Sequence, residues 1–130
     1  MKDLAPPPQV QRCADCANSP KNQRAEEIAL ALMGVGTLDP DHLSEAVGWD
    51  KSGAPAVMGH EAVLRGITPC GASSIVIDQV VSHGKAGAVS GMLHMPDGQT
   101  RLFCHMIRFT SAAAKTVAHI VSFEHGGKVG

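Results

Sequence analysis

No stretch of this chain carries an excess of one charge. Eleven Lys and Arg are scattered among twelve Asp and Glu, for a formal net charge of −1. Nothing forms the basic stripe that a nucleic-acid binder needs. No apolar run approaches the roughly 18 residues of a membrane span. The opening "MKDLAPPPQVQRC" has no apolar core of the signal-peptide kind, which leaves the cytoplasm as the expected compartment. Cysteine is scarce: Cys13 and Cys16 form one C-x-x-C, and Cys70 and Cys104 stand alone. A zinc site wants a second pair, or two histidines at finger spacing, and neither follows. A thioredoxin-type dithiol follows a strand and opens a helix, whereas "CADC" follows a proline run and precedes the loop "ANSPKN". Cys13 and Cys16 are therefore expected as free thiols, and Cys104 as a small core residue. Aromatics are fewer still: no tyrosine, one tryptophan, Trp49, and three phenylalanines.

What is present fits one domain of 130 residues with an appreciable core. Residues 1–20 read as an extended arm, with "PPP" at 6–8 favouring polyproline geometry. From Lys21 a helical pattern begins, with Asn22 as a cap and Ala25, Ile28, Ala29, Leu32 and Met33 as its apolar stripe. Gly34 and Gly36 stop it. A second short helix is expected in "TLDPDHLSEAV", with Asp39 as N-cap and Pro40 in the first position. "VGWD" is a short strand, and a third helix runs from about His60 to Arg65. After Gly71 the texture changes to strands, at 73–84, 86–95, 99–110 and 116–125. The domain thus spans 21–126, followed by a tail at 127–130. Helices first and an antiparallel meander after mean α+β, with the helices on one face of a curved sheet.

Several stretches carry a resemblance. "VMGHEAVLRGI" looks like a V-x-G-x-E-A-I strand-to-helix turn. "SHGKAGAVSGMLHMPDGQTRLFCHMIRF" looks like an "HG…A…G…G…F-C-x-V-x-x-F" hairpin. "KTVAHIVSFEH" is similar to a last strand reading K-I-x-x-I-x-S-Y, and "DCANSPKN" resembles the start of a group of bacterial members. In this order, over residues 15–125, they resemble the NTF2-like superfamily, which includes SnoaL-like polyketide cyclases and ketosteroid isomerases. The resemblance implies a cone-shaped half-barrel with a pocket between helices and sheet, and a homodimer through the sheet's other face. It does not imply one chemistry, which must be argued from residues.

Seven histidines are many for this length, and three fall in the last three strands: His94, His105 and His119. A two-residue loop at Asp97-Gly98 sets His94 against Arg101, Met92 against Phe103 and Ser90 against His105. A loop closed by Ser111 and Lys115 sets Ile107 against His119, His105 against Val121 and Phe103 against Phe123. On these registers Ser90, Met92, His94, Arg101, Phe103, His105, His119 and Phe123 share one face, and a one-residue slip at either loop breaks the set. His94 would then lie about 13 Å along the sheet from His105, too far to share a metal. No metal and no cofactor are expected.

In ketosteroid isomerases the strand resembling "FCHMIRF" reads V-I-D-V-M-R-F, and its acid donates a hydrogen bond to the substrate's oxyanion. His105 takes that acid's position here. It is either a donor in a pocket or a core histidine bonded to Ser90 or a buried water. The isomerase's general base lies near "VGWD", so Trp49 or Asp50 falls at that place, depending on one gap. Trp49 either roofs the core or stacks on a flat ligand.

Two functions follow. The first is an isomerase-, cyclase- or hydrolase-like enzyme of SnoaL type acting on a small hydrophobic carbonyl or ring compound. His105 would polarise the ligand and Asp50 would act as base, with Trp49, Ser90, Met92, Phe103, His119 and Phe123 as the lining. The second is a non-catalytic ligand-binding or dimerisation module. The strand "RLFCHMIRF" is apolar on both alternating faces, so the face turned away from the helices is expected to meet a second copy.

Overall fold

The computed structural model describes residues 7–13, 16 and 18–126. Residues 1–6 of the expected arm and the expected tail at 127–130 lie outside the described residues. The elements are β1 (Gln9–Gln11), α1 (Pro20–Leu32), β2 (Leu43–Lys51), β3 (Val57–Met58), α2 (His60–Arg65), β4 (Ser74–His83), β5 (Ala86–His94), β6 (Thr100–Phe109) and β7 (Val117–Gly126). All seven strands form one sheet in the order β1-β4-β5-β6-β7-β2-β3. β1 on β4 and β2 on β7 are parallel, and the remaining pairs are antiparallel.

Ser19, not Asn22, caps α1. Its hydroxyl accepts from the Asn22 backbone N–H at 3.1 Å, and Pro20 occupies the first helical position, where its missing N–H costs nothing. Asn22 instead fastens the helix start to its surroundings: its side-chain amide donates to the carbonyls of Cys16 and Val80 and accepts from the Ser82 hydroxyl. The stripe Ala25, Ile28, Ala29, Leu32 and Met33 is buried against the concave face of the sheet. The Ala25 methyl sits over the bare backbone of Gly87, where an added Cβ would lie only 3.3 Å from it.

The arm is part of the sheet. Gln9–Gln11 add a parallel edge strand to β4, and Arg12 pairs with the buried carboxylate of Glu26 on α1. Cys13 and Cys16 form a disulfide, which corrects the expectation of free thiols. The Cys16 N–H reaches back to the Cys13 carbonyl, and the two Cα atoms lie 5.4 Å apart, within bridging range.

The second helix is a single 3₁₀ turn at Pro40–His42, although Asp39 caps it and Pro40 begins it as expected. From Leu43 the chain pairs with β7 instead. Val47 and Trp49 point inward while Gly48 and Asp50 alternate with them, so the period there is two. Pairing and burial override the helical propensity of Leu-Ser-Glu-Ala. α2 and the four long strands lie within a residue of the expected bounds. Among the described residues no helix is long and apolar enough to cross a membrane.

The sheet curves around α1. A bulge at Asp78 shifts the β4–β5 register between Ile77 and Gln79, and bulges bend the strand that carries them. Opposite lies Gly91, where a Cβ would overlap the Val76 carbonyl oxygen and come within 3.0 Å of the Phe103 ring. Only glycine fits between that bent strand and that ring. Gly91→Ala is expected to cost about 2 kcal/mol or more, read as a lowered urea midpoint at unchanged slope.

Candidate functional site

β6 supplies the centre of the site. Phe103, His105, Ile107 and Phe109 point inward and are buried, whereas Leu102, Cys104, Met106 and Arg108 point outward. The alternation is as expected from "RLFCHMIRF", but the partners differ from the expected ones on both sides.

On the β5 side, His94 opposes Thr100, Met92 opposes Leu102 and Ser90 opposes Cys104. The turn has three residues, not two. The Gly98 N–H bonds to the Met95 carbonyl, the Met95 N–H bonds to the Gln99 carbonyl, and Gly98 has φ 91°. Pro96 starts such a turn readily, and Asp97 caps it through the Gln99 N–H at 2.9 Å. A two-residue turn would have needed positive φ at Asp97 as well. The added residue moves Ser90 and Met92 to the outer face.

On the β7 side, the loop closes as expected, with Phe109 opposite Val117. A bulge at Ala118 then shifts the register: Arg108 opposes His119, His105 opposes Ser122 and Cys104 opposes Phe123. His119 thereby turns outward, Ser122 takes the inward place opposite His105, and Phe123, which alternates with Ser122 and is half-exposed, still lines a cavity. Asp50 alternates with inward Trp49 on β2, and its carboxylate meets the His119 Nε2 at 2.7 Å on the outer side. Asp50 therefore cannot serve as a base beside His105.

Trp49, Phe103 and His105 are expected residues that the fold brings together, and Phe123 lines the same cavity as Trp49 and His105. Trp49 Nε1–H donates to the Ser122 hydroxyl at 2.8 Å, and that hydroxyl lies 2.7 Å from His105 Nδ1. Because an indole can only donate, Ser122 must accept from it and is free to pass its own proton to Nδ1. When Ser122 donates to Nδ1, the hydroxyl uses both its donor and its acceptor capacity and the imidazole proton stands on Nε2. His105 Nε2 is buried and has no hydrogen-bonding partner. Burial pushes the His105 pKa down to about 4, so the ring is neutral near pH 7. The Phe103 ring lies tilted beside it, with centroids 5.5 Å apart.

His105, Trp49 and Ser122 form the inner wall of a cavity of about 380 Å³, with Leu32, Met33 and Cys70 from the helical side. Lys51, Arg101 and Glu124 line it toward solvent. The Lys51 ammonium lies 4.1 Å from the Trp49 ring centroid and donates to the Gly66 carbonyl at the end of α2. It covers a ring face that a flat ligand would otherwise use. Arg101 pairs with Glu124 at 3.1 Å. Lys51, Ser122 and Glu124 were not foreseen. The inward places of Ser122 and Glu124 depend on the Ala118 bulge, but Lys51 could have been found from its alternation with Trp49. Among the described residues no three His, Cys, Asp or Glu side chains converge as metal ligands.

No family model and no curated protein sequence matches the chain. Solved structures do. An NTF2-like protein of unknown function from Mesorhizobium loti superposes with a TM-score of 0.64 at 9% identity, covering 91% of this chain and 99% of that one. The fold is that of the NTF2-like proteins. Another, from Cytophaga hutchinsonii and also of unknown function, gives 0.51 at 17% identity over 78% of this chain and 87% of its own. SalBIII, an epoxide hydrolase/cyclase-like enzyme of pyran ring formation in the polyether salinomycin, gives 0.54 at 17% identity over 81% and 92%. At these identities the NTF2-like likeness is one of fold.

The state of His105 has a consequence for stability. Between pH 6.5 and about 4 the unfolded chain binds a proton that the folded chain excludes. Stability from this group is complete above pH 6.5 and falls on acidification through that window, by about 3 kcal/mol in all. His105→Gln is expected to remove this limb, measured as the pH dependence of the unfolding free energy of variant against wild type.

Proposed function

We propose that this NTF2-like chain is a small-molecule pocket protein that takes a hydrophobic carbonyl or ring compound. The observation that carries the reading is the buried, unpartnered Nε2 of His105, a residue that lines the cavity. A buried donor without an acceptor costs about 1–3 kcal/mol, and a ligand carbonyl oxygen is the group that would relieve it. A cavity of about 380 Å³ is within the range of ligand sites. The Trp49–Ser122 chain fixes the imidazole from behind, as a binding group needs.

Acid–base chemistry of SnoaL type on the same ligand would use His105 to polarise the carbonyl. With Asp50 bonded to His119 on the outer face, the carboxylate left at the cavity is Glu124, which is engaged by Arg101. This favours binding as the activity common to both readings. The test is titration with acetophenone, tetralone and decalone, followed by the ¹⁵N resonance of His105 Nε2. The expected result is a ligand-dependent shift and about tenfold weaker binding in His105→Phe. Binding that leaves Nε2 unmoved, or that survives the substitution, would overturn the reading.

We also propose that the outer face pairs with a second copy. Leu102, Met106 and Phe123 are 48%, 50% and 48% exposed there, side by side on β6 and β7. Single exposed apolar residues are ordinary, but a contiguous patch on a sheet face calls for cover. Wild type is expected to sediment as a dimer at micromolar concentration and Met106→Glu as a folded monomer. A monomeric wild type would refute the pairing.

A further inference from the structure

The cavity carries one cation without a counter-ion. Of the charged side chains that line it, Arg101 and Glu124 hold each other at 3.1 Å, which leaves Lys51. Among the described residues Lys51 has no carboxylate partner. Its ammonium has one hydrogen-bond acceptor, the Gly66 carbonyl at 3.3 Å, and otherwise rests over the Trp49 ring. An ammonium has three donor hydrogens, so donors remain for a ligand.

The position of Lys51 is set by the sheet. Lys51 follows Trp49 by two residues, so both point to the concave side, and its Cα pairs with that of Ser122. The cation therefore stands next to the Trp49–Ser122–His105 chain, on its solvent side. His105 is neutral and does not compensate or repel it. The inner wall offers an uncharged donor and the outer wall one positive charge.

Resting on the ligand-pocket reading above, we propose that the ligand is a monoanion, a small ring-bearing carboxylic acid with a second oxygen acceptor at its far end. Its carboxylate pairs with Lys51 and its ring lies along Leu32 and Met33. Its inner carbonyl accepts from His105 Nε2. A dianion would bring a charge for which the cavity holds no second free cation among the described residues. A neutral ketone would leave the ammonium without its counter-ion.

The test uses a matched pair of probes, para-acetylbenzoate and para-acetylbenzamide, which share ring and acetyl group and differ in charge. Wild type is expected to bind the carboxylate about tenfold more tightly, with a preference that shrinks as salt is added. Lys51→Met should abolish the preference, read as the ratio of the two affinities, and Lys51→Arg should keep it. The double change Arg101→Gln with Glu124→Gln should leave it in place. Equal binding of the two probes to wild type, or a preference that follows Arg101 rather than Lys51, overturns the monoanion inference and leaves the pocket reading standing. If neither probe moves the His105 resonance, the pocket reading falls and this one with it.

Discussion

The Ser122 hydroxyl joins three strands chemically. It accepts from Trp49 on β2 and faces the imidazole of His105 on β6, while its own backbone belongs to β7. Two large polar rings are thereby buried at once, each of which would otherwise leave a group without a partner inside the core. Serine suits the joint because one small hydroxyl both accepts and donates. An apolar residue of the same size would orphan the indole and the imidazole together. The direction of the proton in this one contact sets the tautomer of His105, and so the character of Nε2.

Ser122 reaches that place because of a bulge. Without the extra residue at Ala118, the register of the β6–β7 loop would continue and set Val121 against His105, with Ser122 on the outer face. The cavity would then lose its polar chain, and His119 would come inside. The bulge also separates two histidine chemistries on adjoining strands. His119 stays half-exposed beside the Asp50 carboxylate, while His105 is dry and neutral. Burial is what keeps the His105 ring uncharged and able to face a ligand as a neutral group.

Much of this fold was legible in the sequence. α1 and the four long strands were visible because their apolar residues repeat with the right period over nine or more positions and end at glycines or turns. The inward side of β6 was visible for the same reason. The segment after Asp39 was not, because its first residues carry good helix-start signals and nothing local announces that β7 lies alongside. The strand partners were not legible either. "PDG" supports both a two-residue and a three-residue turn, and Pro96 decides for the longer one through its fixed φ. The Ala118 bulge has no mark at all: alanine is ordinary in a strand, and a bulge is seen only in the pairing. Five expected site residues, Asp50, Ser90, Met92, His119 and Phe123, alternate with the inward positions, and four of them moved there through those two single-residue shifts, although Phe123 still lines the cavity. The fifth, Asp50, was one position from Trp49 and so on the other side of its strand.

The cavity's electrostatics follow from the same geometry. An interaction with a charge strengthens as water is excluded, so Lys51 acts more strongly on the inner wall than on solvent. The imidazole beyond it offers a hydrogen bond and no charge. A ligand with a charged end and an uncharged acceptor therefore has one favourable orientation. Turned around, it would put its anion against a neutral ring in the driest part of the cavity and its carbonyl at the ammonium, with the desolvation of the anion uncompensated. Orientation of this kind needs no catalytic group. It is also the condition that a carbonyl-polarising enzyme must meet first, since a donor can act only on an oxygen held within reach. On the proposed reading, the arrangement of Lys51, Ser122 and His105 would set a binding direction before it sets a reaction.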